Sequence, residues 1–326
     1  MIKRELSEIS LPIKNELDAF NDLFRKSMTS RVSWVDLIAK YILRQKGKKI
    51  RPLLVLLSAK VAGSVNERTY RGAVLVELLH TATLVHDDVV DNADKRRGFW
   101  SINAIFKNKA AVLMGDYLLS RGLLIAIEGK DYDFLGVITN TVKRMSEGEL
   151  LQIQKTRKLD IDEETYFQVI SDKTASLLET CCQIGVLSSS DNPLYHEAMR
   201  KFGESIGIAF QIRDDVLDYE GSSSLIGKPV GGDIKEKKIT LPLIYSLNQV
   251  SKSQADDIKK IIRNGAKKDR IKEVMDFVRN HKGIDYALEH AYQYSLQAKD
   301  SLKIFPDSQS KLALEALVDF VIDRKN

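Results

Sequence analysis

Two clusters of aspartates stand out as able to do chemistry. Leu78–Gly98 (LLHTATLVHDDVVDNADKRRG) closes an apolar helical run with Asp87, Asp88 and Asp91, then turns at once to Lys95, Arg96 and Arg97. On a helix Asp87 and Asp91 share one face a turn apart, where like charges repel by roughly 0.2–0.5 kcal/mol unless a cation sits between them. His80 and Leu84 continue that face towards the N-terminus. A second run, Gly207–Gly221 (GIAFQIRDDVLDYEG), repeats the design about 127 residues later with Asp214, Asp215 and Asp218. Two matching clusters, each ending a helix built for burial, predict one site facing inward from two helices.

Ligand type selects the metal. Carboxylate oxygens without a Cys/His constellation disfavour zinc. Magnesium is held by one or two carboxylates while substrate phosphates complete its octahedron. A cavity lined by six carboxylates is therefore expected to take several divalent ions and a polyanion, for which a diphosphate is the natural candidate.

Basic groups supply the counterpart. Gly47–Pro52 (GKKIRP) offers Lys48, Lys49 and Arg51 before a helix-starting proline. Beside His80, Arg96 and Arg97 they would make a second anion site, because guanidinium forks match phosphate oxygens. Ser171–Leu178 (SDKTASLL) sets Lys173 and Thr174 inside a helix, where the lysine either snorkels to water or reaches a metal-held diphosphate. Glu220–Asp233 (EGSSSLIGKPVGGD) is Gly/Ser-rich and reads as a lid or a plain surface loop, with Lys228 on it and Lys238 beyond it. Glu147, Glu149 and Gln152 interrupt an apolar pattern without an assignable role. At Gly115 and Asp116 the reading is close helix packing and a satisfied acid.

The elements that position these groups are helical almost throughout. Apolar periodicity predicts helices near 66–91, 109–128, 132–156, 163–189 and 194–219, with shorter ones on either side and no convincing strand. The fold class is all-α, a bundle of long helices around a central cavity. The two acidic runs must share that cavity and no linker separates them, so residues 1–326 form one domain. The C-terminal third reads as packing helices.

Composition narrows the partners. The chain has 326 residues, 44% of them hydrophobic and 29% charged, and a formal net charge of +5. That excess is too slight over this length to argue for nucleic acid. Cys181 and Cys182 are adjacent, a poor arrangement for a disulfide, and are expected to be buried free thiols. The N-terminus has no apolar secretory core, and no run approaches 18 consecutive apolar residues. The expectation is a cytoplasmic protein without a membrane span.

Over residues 45–240 these motifs, in this order, resemble the trans-isoprenyl diphosphate synthases, closest to the long-chain octaprenyl and polyprenyl members. GKKIRP is similar to that family's GKxxRP, HDDVVDNADKRRG to its first aspartate-rich motif and GIAFQIRDDVLD to its second, with SDKTA, GKPVGGDI and EKKITLP completing the set. The resemblance implies that Asp87, Asp91 and Asp214 hold two or three magnesium ions, with Asp88, Asp215 and Asp218 as further candidates. It gives Lys48, Arg51, His80 and Arg97 to isopentenyl diphosphate. Arg96, Lys173, Thr174, Gln211, Lys228 and Lys238 go to an allylic diphosphate. Asp87, Asp91, Asp214, Lys173 and Arg96 are then the catalytic set, and a homodimer follows from the same likeness. Trp100, Lys46 and Lys237 depart from the family pattern, where a proline and two glycines are usual, and bear on loop geometry.

The product would be a long all-trans chain serving as a quinone side chain. Small residues at Ala82 and Thr83, one turn before Asp87, leave a tail tunnel open where short-chain members carry an aromatic. Farnesyl or geranylgeranyl synthesis is the alternative within the family. A terpene cyclase or head-to-head synthase would not need GKKIRP with His80 and Arg97. A non-catalytic subunit of a heteromeric synthase would have no physical use for six crowded aspartates.

Overall fold

The computed structural model describes residues 5–45, 47–96, 98–220, 231–265 and 268–323. Arg97, Lys228 and Lys46 fall outside the described residues, as does the 221–230 part of the expected lid.

The chain opens with α1 (Leu6–Ile9), α2 (Lys14–Ser27), α3 (Ser33–Arg44) and α4 (Ile50–Ala62). Then comes α5 (Glu67–Val90), a short antiparallel pair β1 (Lys95–Arg96) and β2 (Phe99–Trp100), α6 (Ile102–Glu128) and α7 (Tyr132–Lys158). A single π-helical turn, Ser171–Ala175, separates α8 (Glu163–Ile170) from α9 (Ser176–Leu187). The rest is α10 (Pro193–Glu220), the one-turn α11 (Gly232–Lys235), α12 (Leu241–Asn248), α13 (Lys252–Arg263), α14 (Lys268–Asn280), α15 (Gly283–Ser301) and α16 (Gln309–Ile322).

Helix α5 runs through the middle of the bundle, packed on α4, α6 and α9. Its middle, from Gly72 to Val85, is buried almost all round, which suits the run of apolar residues there. Its N-terminus is fixed by a capping box: Asn66 accepts from the Thr69 amide at 3.1 Å, and the Asn66 amide donates to Thr69 Oγ1 at 3.2 Å. Asn66 Nδ2 also donates to the Ser188 carbonyl beyond α9 at 2.7 Å. With one end pinned in this way, the opposite end presents Asp87, Asp88 and Asp91. Around α5 lies the main core. A second core joins the end of α10 to α8, α12, α14 and α15.

The all-α expectation holds, with two local corrections. The β1–β2 hairpin was not predicted, since two-residue strands carry no periodicity. Helix α6 starts at Ile102 rather than at 109, because a kink at Lys107 (φ 72°) breaks the helical pattern there.

Candidate active site

One wall comes from α5 and the hairpin behind it. Asp87 is exposed on the last turn and Asp91 is the C-cap, its amide donating to the Asp87 carbonyl at 2.8 Å. Asp88 points the other way and is 4% exposed. Arg96 Nε donates to its Oδ1 at 2.7 Å, so the hairpin is fastened to α5 by an ion pair between two motif residues. Trp100 ends that hairpin: Tyr41 donates to its carbonyl at 2.7 Å, and the Lys95 ammonium stands 4.5 Å from its ring centroid.

The facing wall is α10. Asp214 is exposed and Asp215 is buried. Asp215 Oδ2 accepts from the Tyr166 hydroxyl and Oδ1 from Gln211 Nε2, both at 2.7 Å. Asp218 accepts from the amides of Gly232 and Asp233, each at 3.0 Å. Gly231 makes this possible by adopting φ +80°, a left-handed turn that favours glycine. Lys237 ends the same segment at φ 62°, a strained conformation for a lysine and the reason a glycine suits that position.

The π turn lies between the walls. Lys173 pairs with Glu149 and donates to Gln152 Oε1 at 2.7 Å, while Thr174 donates to Gln211 Oε1 at 2.9 Å. A chain of hydrogen bonds therefore runs from Thr174 through Gln211 to Asp215. Gln152, Lys173, Thr174, Gln211, Asp215 and Lys238 line one cavity of about 100 Å³.

One edge of Asp87 is open to solvent, yet the groups packed around it desolvate the carboxylate and raise its pKa; Lys173 opposes that rise, and Glu149 and Asp91 add to it. Asp233 is pushed up to about 6, first by burial and then by Asp218. Asp215 rises well above the usual carboxylate range through burial and the charge of Asp233. Lys238 donates to Glu236 at 2.6 Å, and Asp233 and Asp91 both help to hold it charged.

The described members of the second basic cluster lie on several elements. Arg51 is in the first turn of α4, and His80 is buried on α5 one turn beyond Glu77. Burial pushes the Cys181 thiol well up, Arg51 opposes this and Glu77 adds to it, which puts both residues at the level of the cysteines. Lys48 extends towards α16, its ammonium 5.9 Å from the Phe320 ring centroid. Cys181 and Cys182 are free and buried, as expected. On α6, Gly115 leaves room for the His86 ring, and Asp116 lies 3.3 Å from His86 Nε2.

A family model described as polyprenyl synthetase matches residues 32–278. The octaprenyl diphosphate synthase of Haemophilus influenzae is 34% identical over 98% of this chain and 97% of its own length. The chain belongs to the polyprenyl synthetase family. It is therefore a prenyltransferase. Two solved structures resemble this polyprenyl synthetase closely. The polyprenyl synthase from Caulobacter crescentus, complexed with calcium and isoprenyl diphosphate, superposes with a TM-score of 0.92 at 30% identity and covers 100% of both chains. The geranylgeranyl pyrophosphate synthase from Bacteroides thetaiotaomicron gives 0.83 at 38% identity, over 98% of this chain and 99% of its own.

The exposed carboxylates of Asp87 and Asp214 are hard oxygen donors of the kind a divalent cation such as magnesium takes. Among the described residues no three His, Cys, Asp or Glu side chains close on one point. Glu149, Gln152, Tyr166 and Asp233 line or brace the site without having been assigned to it. Glu149 and Gln152 carried a signal, polar residues in an apolar pattern, whereas Tyr166 carried none.

Proposed function

We propose that this polyprenyl synthetase is a magnesium-dependent, long-chain trans-polyprenyl diphosphate synthase, joining isopentenyl diphosphate head-to-tail to an allylic diphosphate. The observation that supports the reading is one cavity in which Lys173 and Lys238 stand with Thr174, Gln211 and Asp215, next in the chain to the exposed Asp214. Ammonium groups beside carboxylates are the combination that a magnesium-bound diphosphate would call on. In this reading Asp87, Asp91 and Asp214 hold two or three magnesium ions. Arg96, Lys173, Thr174, Gln211, Lys228 and Lys238 hold the allylic diphosphate, and Lys48, Arg51, His80 and Arg97 hold isopentenyl diphosphate.

Magnesium, when bound, supplies charge stabilisation on the departing diphosphate. Lys173 adds to it from a fixed position, its half-buried ammonium aimed by Glu149 and Gln152. The bond from the allylic carbon to the diphosphate oxygen breaks, the isopentenyl double bond attacks that carbon, and the released diphosphate takes up the proton that the adduct loses. No side chain has to act as a nucleophile. The apolar residues of α5 and α9 behind the site keep water from the cationic carbon.

Product length rests on Ala82 and Thr83, which place no aromatic below Asp87, and on the octaprenyl relative. A geranylgeranyl product is the second reading, favoured by the 38% identity to the B. thetaiotaomicron enzyme and by Ala82 being only 2% exposed in the core. A homodimer accounts for the outer face of α6, where Ile105, Val112, Leu113, Leu124 and Ile127 are exposed along one helix. The same helix is long and apolar enough to cross a membrane, but its other face packs along α5, and a cytoplasmic dimer uses both faces. The test is turnover of labelled isopentenyl diphosphate with farnesyl diphosphate and magnesium, with products sized by chromatography. Products of about six to ten isoprene units support the reading, and accumulation at four supports the second. No elongation in magnesium would end both.

A further inference from the structure

Arg144, on the middle of α7, makes contacts that the site as described does not use. Its Nε donates to Asp172 Oδ1 at 2.8 Å, one terminal nitrogen to Glu179 Oε2 at 2.7 Å and the other to Ser171 Oγ at 3.1 Å. One guanidinium thereby spans from the first residues of the π turn to the first turn of α9. Its partners are themselves held. Glu179 is 7% exposed, takes a hydrogen bond from Gln183 Nε2 at 3.2 Å and has Arg200 at 3.7 Å; Asp172 also accepts from Gln168.

A π turn widens the helix by one residue and is seldom stable by itself, so something outside the helix has to hold it. Helix α7 does so at successive levels. Arg144 ties Ser171, Asp172 and Glu179. One turn on, Gly148 lets the backbones approach so closely that a Cβ there would lie 3.0 Å from Asp172 Cβ and 3.1 Å from the Lys173 amide nitrogen. Glu149 and Gln152 then take the Lys173 ammonium.

We infer that Arg144 is a positioning residue for the reaction: by clamping the π turn it fixes where Lys173 meets the allylic diphosphate, without touching substrate itself. The inference rests on the proposed role of Lys173. Lysine at position 144 keeps the charge, but its three N–H donors spring from one nitrogen and cannot span acceptors that the guanidinium reaches from three.

The experiment is steady-state kinetics of the full-length enzyme in magnesium, with KM measured separately for farnesyl diphosphate and isopentenyl diphosphate. The variants are Lys173→Ala, Arg144→Lys, the double variant and Asp172→Asn. Arg144→Lys is expected to raise the farnesyl diphosphate KM about tenfold, the scale of one lost charge-assisted contact, and to move the other KM by less than about twofold. In the Lys173→Ala background the same substitution should change the farnesyl diphosphate KM by less than about twofold, because the residue it positions is gone. Equal shifts in both KM values, or full additivity in the double variant, would overturn the clamp. So would wild-type kinetics for Arg144→Lys. If Arg144→Lys does not fold, Asp172→Asn decides, with a selective rise of about three- to fivefold in the farnesyl diphosphate KM expected from one weakened contact and no selective rise overturning the clamp. A Lys173→Ala enzyme with unchanged farnesyl diphosphate KM would overturn the site reading itself, an outcome distinct from failure of Arg144 alone.

Discussion

The hydroxyl of Tyr166 donates to Asp215 Oδ2 at 2.7 Å, a buried contact that joins α8 to α10 directly behind Asp214. With Gln211 on the other oxygen, both carboxylate oxygens of Asp215 are occupied by protein donors. Asp215 is thus braced on both sides, while Asp214 beside it is exposed. Tyr166→Phe removes one donor and leaves a buried oxygen unsatisfied, at a cost of about 1–3 kcal/mol. Urea unfolding should show that loss together with a fall in kcat. Wild-type stability and kcat in Tyr166→Phe would mean the contact does not hold α10 in place.

Asp233 gives a pH dependence of defined sign. Its pKa in the folded protein is about 6 against an ordinary 3.8, so the folded state takes up the proton more readily than the unfolded chain. Stability from this group is present at low pH and lost as pH rises from about 4 through about 6. Without divalent metal, wild type should lose more stability across that window than Asp233→Asn. Identical slopes for the two proteins would show that Asp233 carries no such penalty.

Much of this site is legible in the sequence, and the unread part has a common cause. Asp87, Asp91, Asp214 and Lys173 stand in short motifs whose residue types and spacing already specify a cation and an anion. Arg96 and Asp88 were legible as motif members but not as each other's partners, because the hairpin that joins them is too short to show as alternation. Glu149, Gln152 and Arg144 act on Lys173 from a different helix, and Tyr166 acts on Asp215 across 49 residues of chain. Spacing within one helix says nothing of such pairs. The π turn was read as unbroken helix because its apolar pattern shifts by a single residue.

The outer face of α6 predicts assembly. Leu113 is 59% exposed in the middle of that stripe. Leu113→Glu puts a charge into the contact, so sedimentation at micromolar concentration should show a dimer for wild type and a monomer for the variant. A wild-type monomer with full activity would remove the dimer from the account.

Below Asp87, Thr83 is half-buried with its hydroxyl on the His80 carbonyl at 2.9 Å, and Ala82 is packed in the core. Ala82→Phe should shorten the product to about three or four isoprene units, at a packing cost of about 1–3 kcal/mol. The melting temperature separates a blocked tunnel from a damaged fold. A folded Ala82→Phe enzyme with the wild-type product would place the tunnel elsewhere.

The central claim is that α5 and α10 together hold one metal-bridged diphosphate, and calorimetric titration with the unreactive farnesyl thiolodiphosphate tests it without turnover. Binding should require magnesium in the wild-type protein. Asp87→Ala and Asp214→Ala, each folded, should each weaken it roughly ten- to a hundredfold, the loss of one charge-assisted contact of about 1.5–3 kcal/mol. Undiminished binding in either variant, or tight binding in EDTA, would contradict a site shared between the two helices.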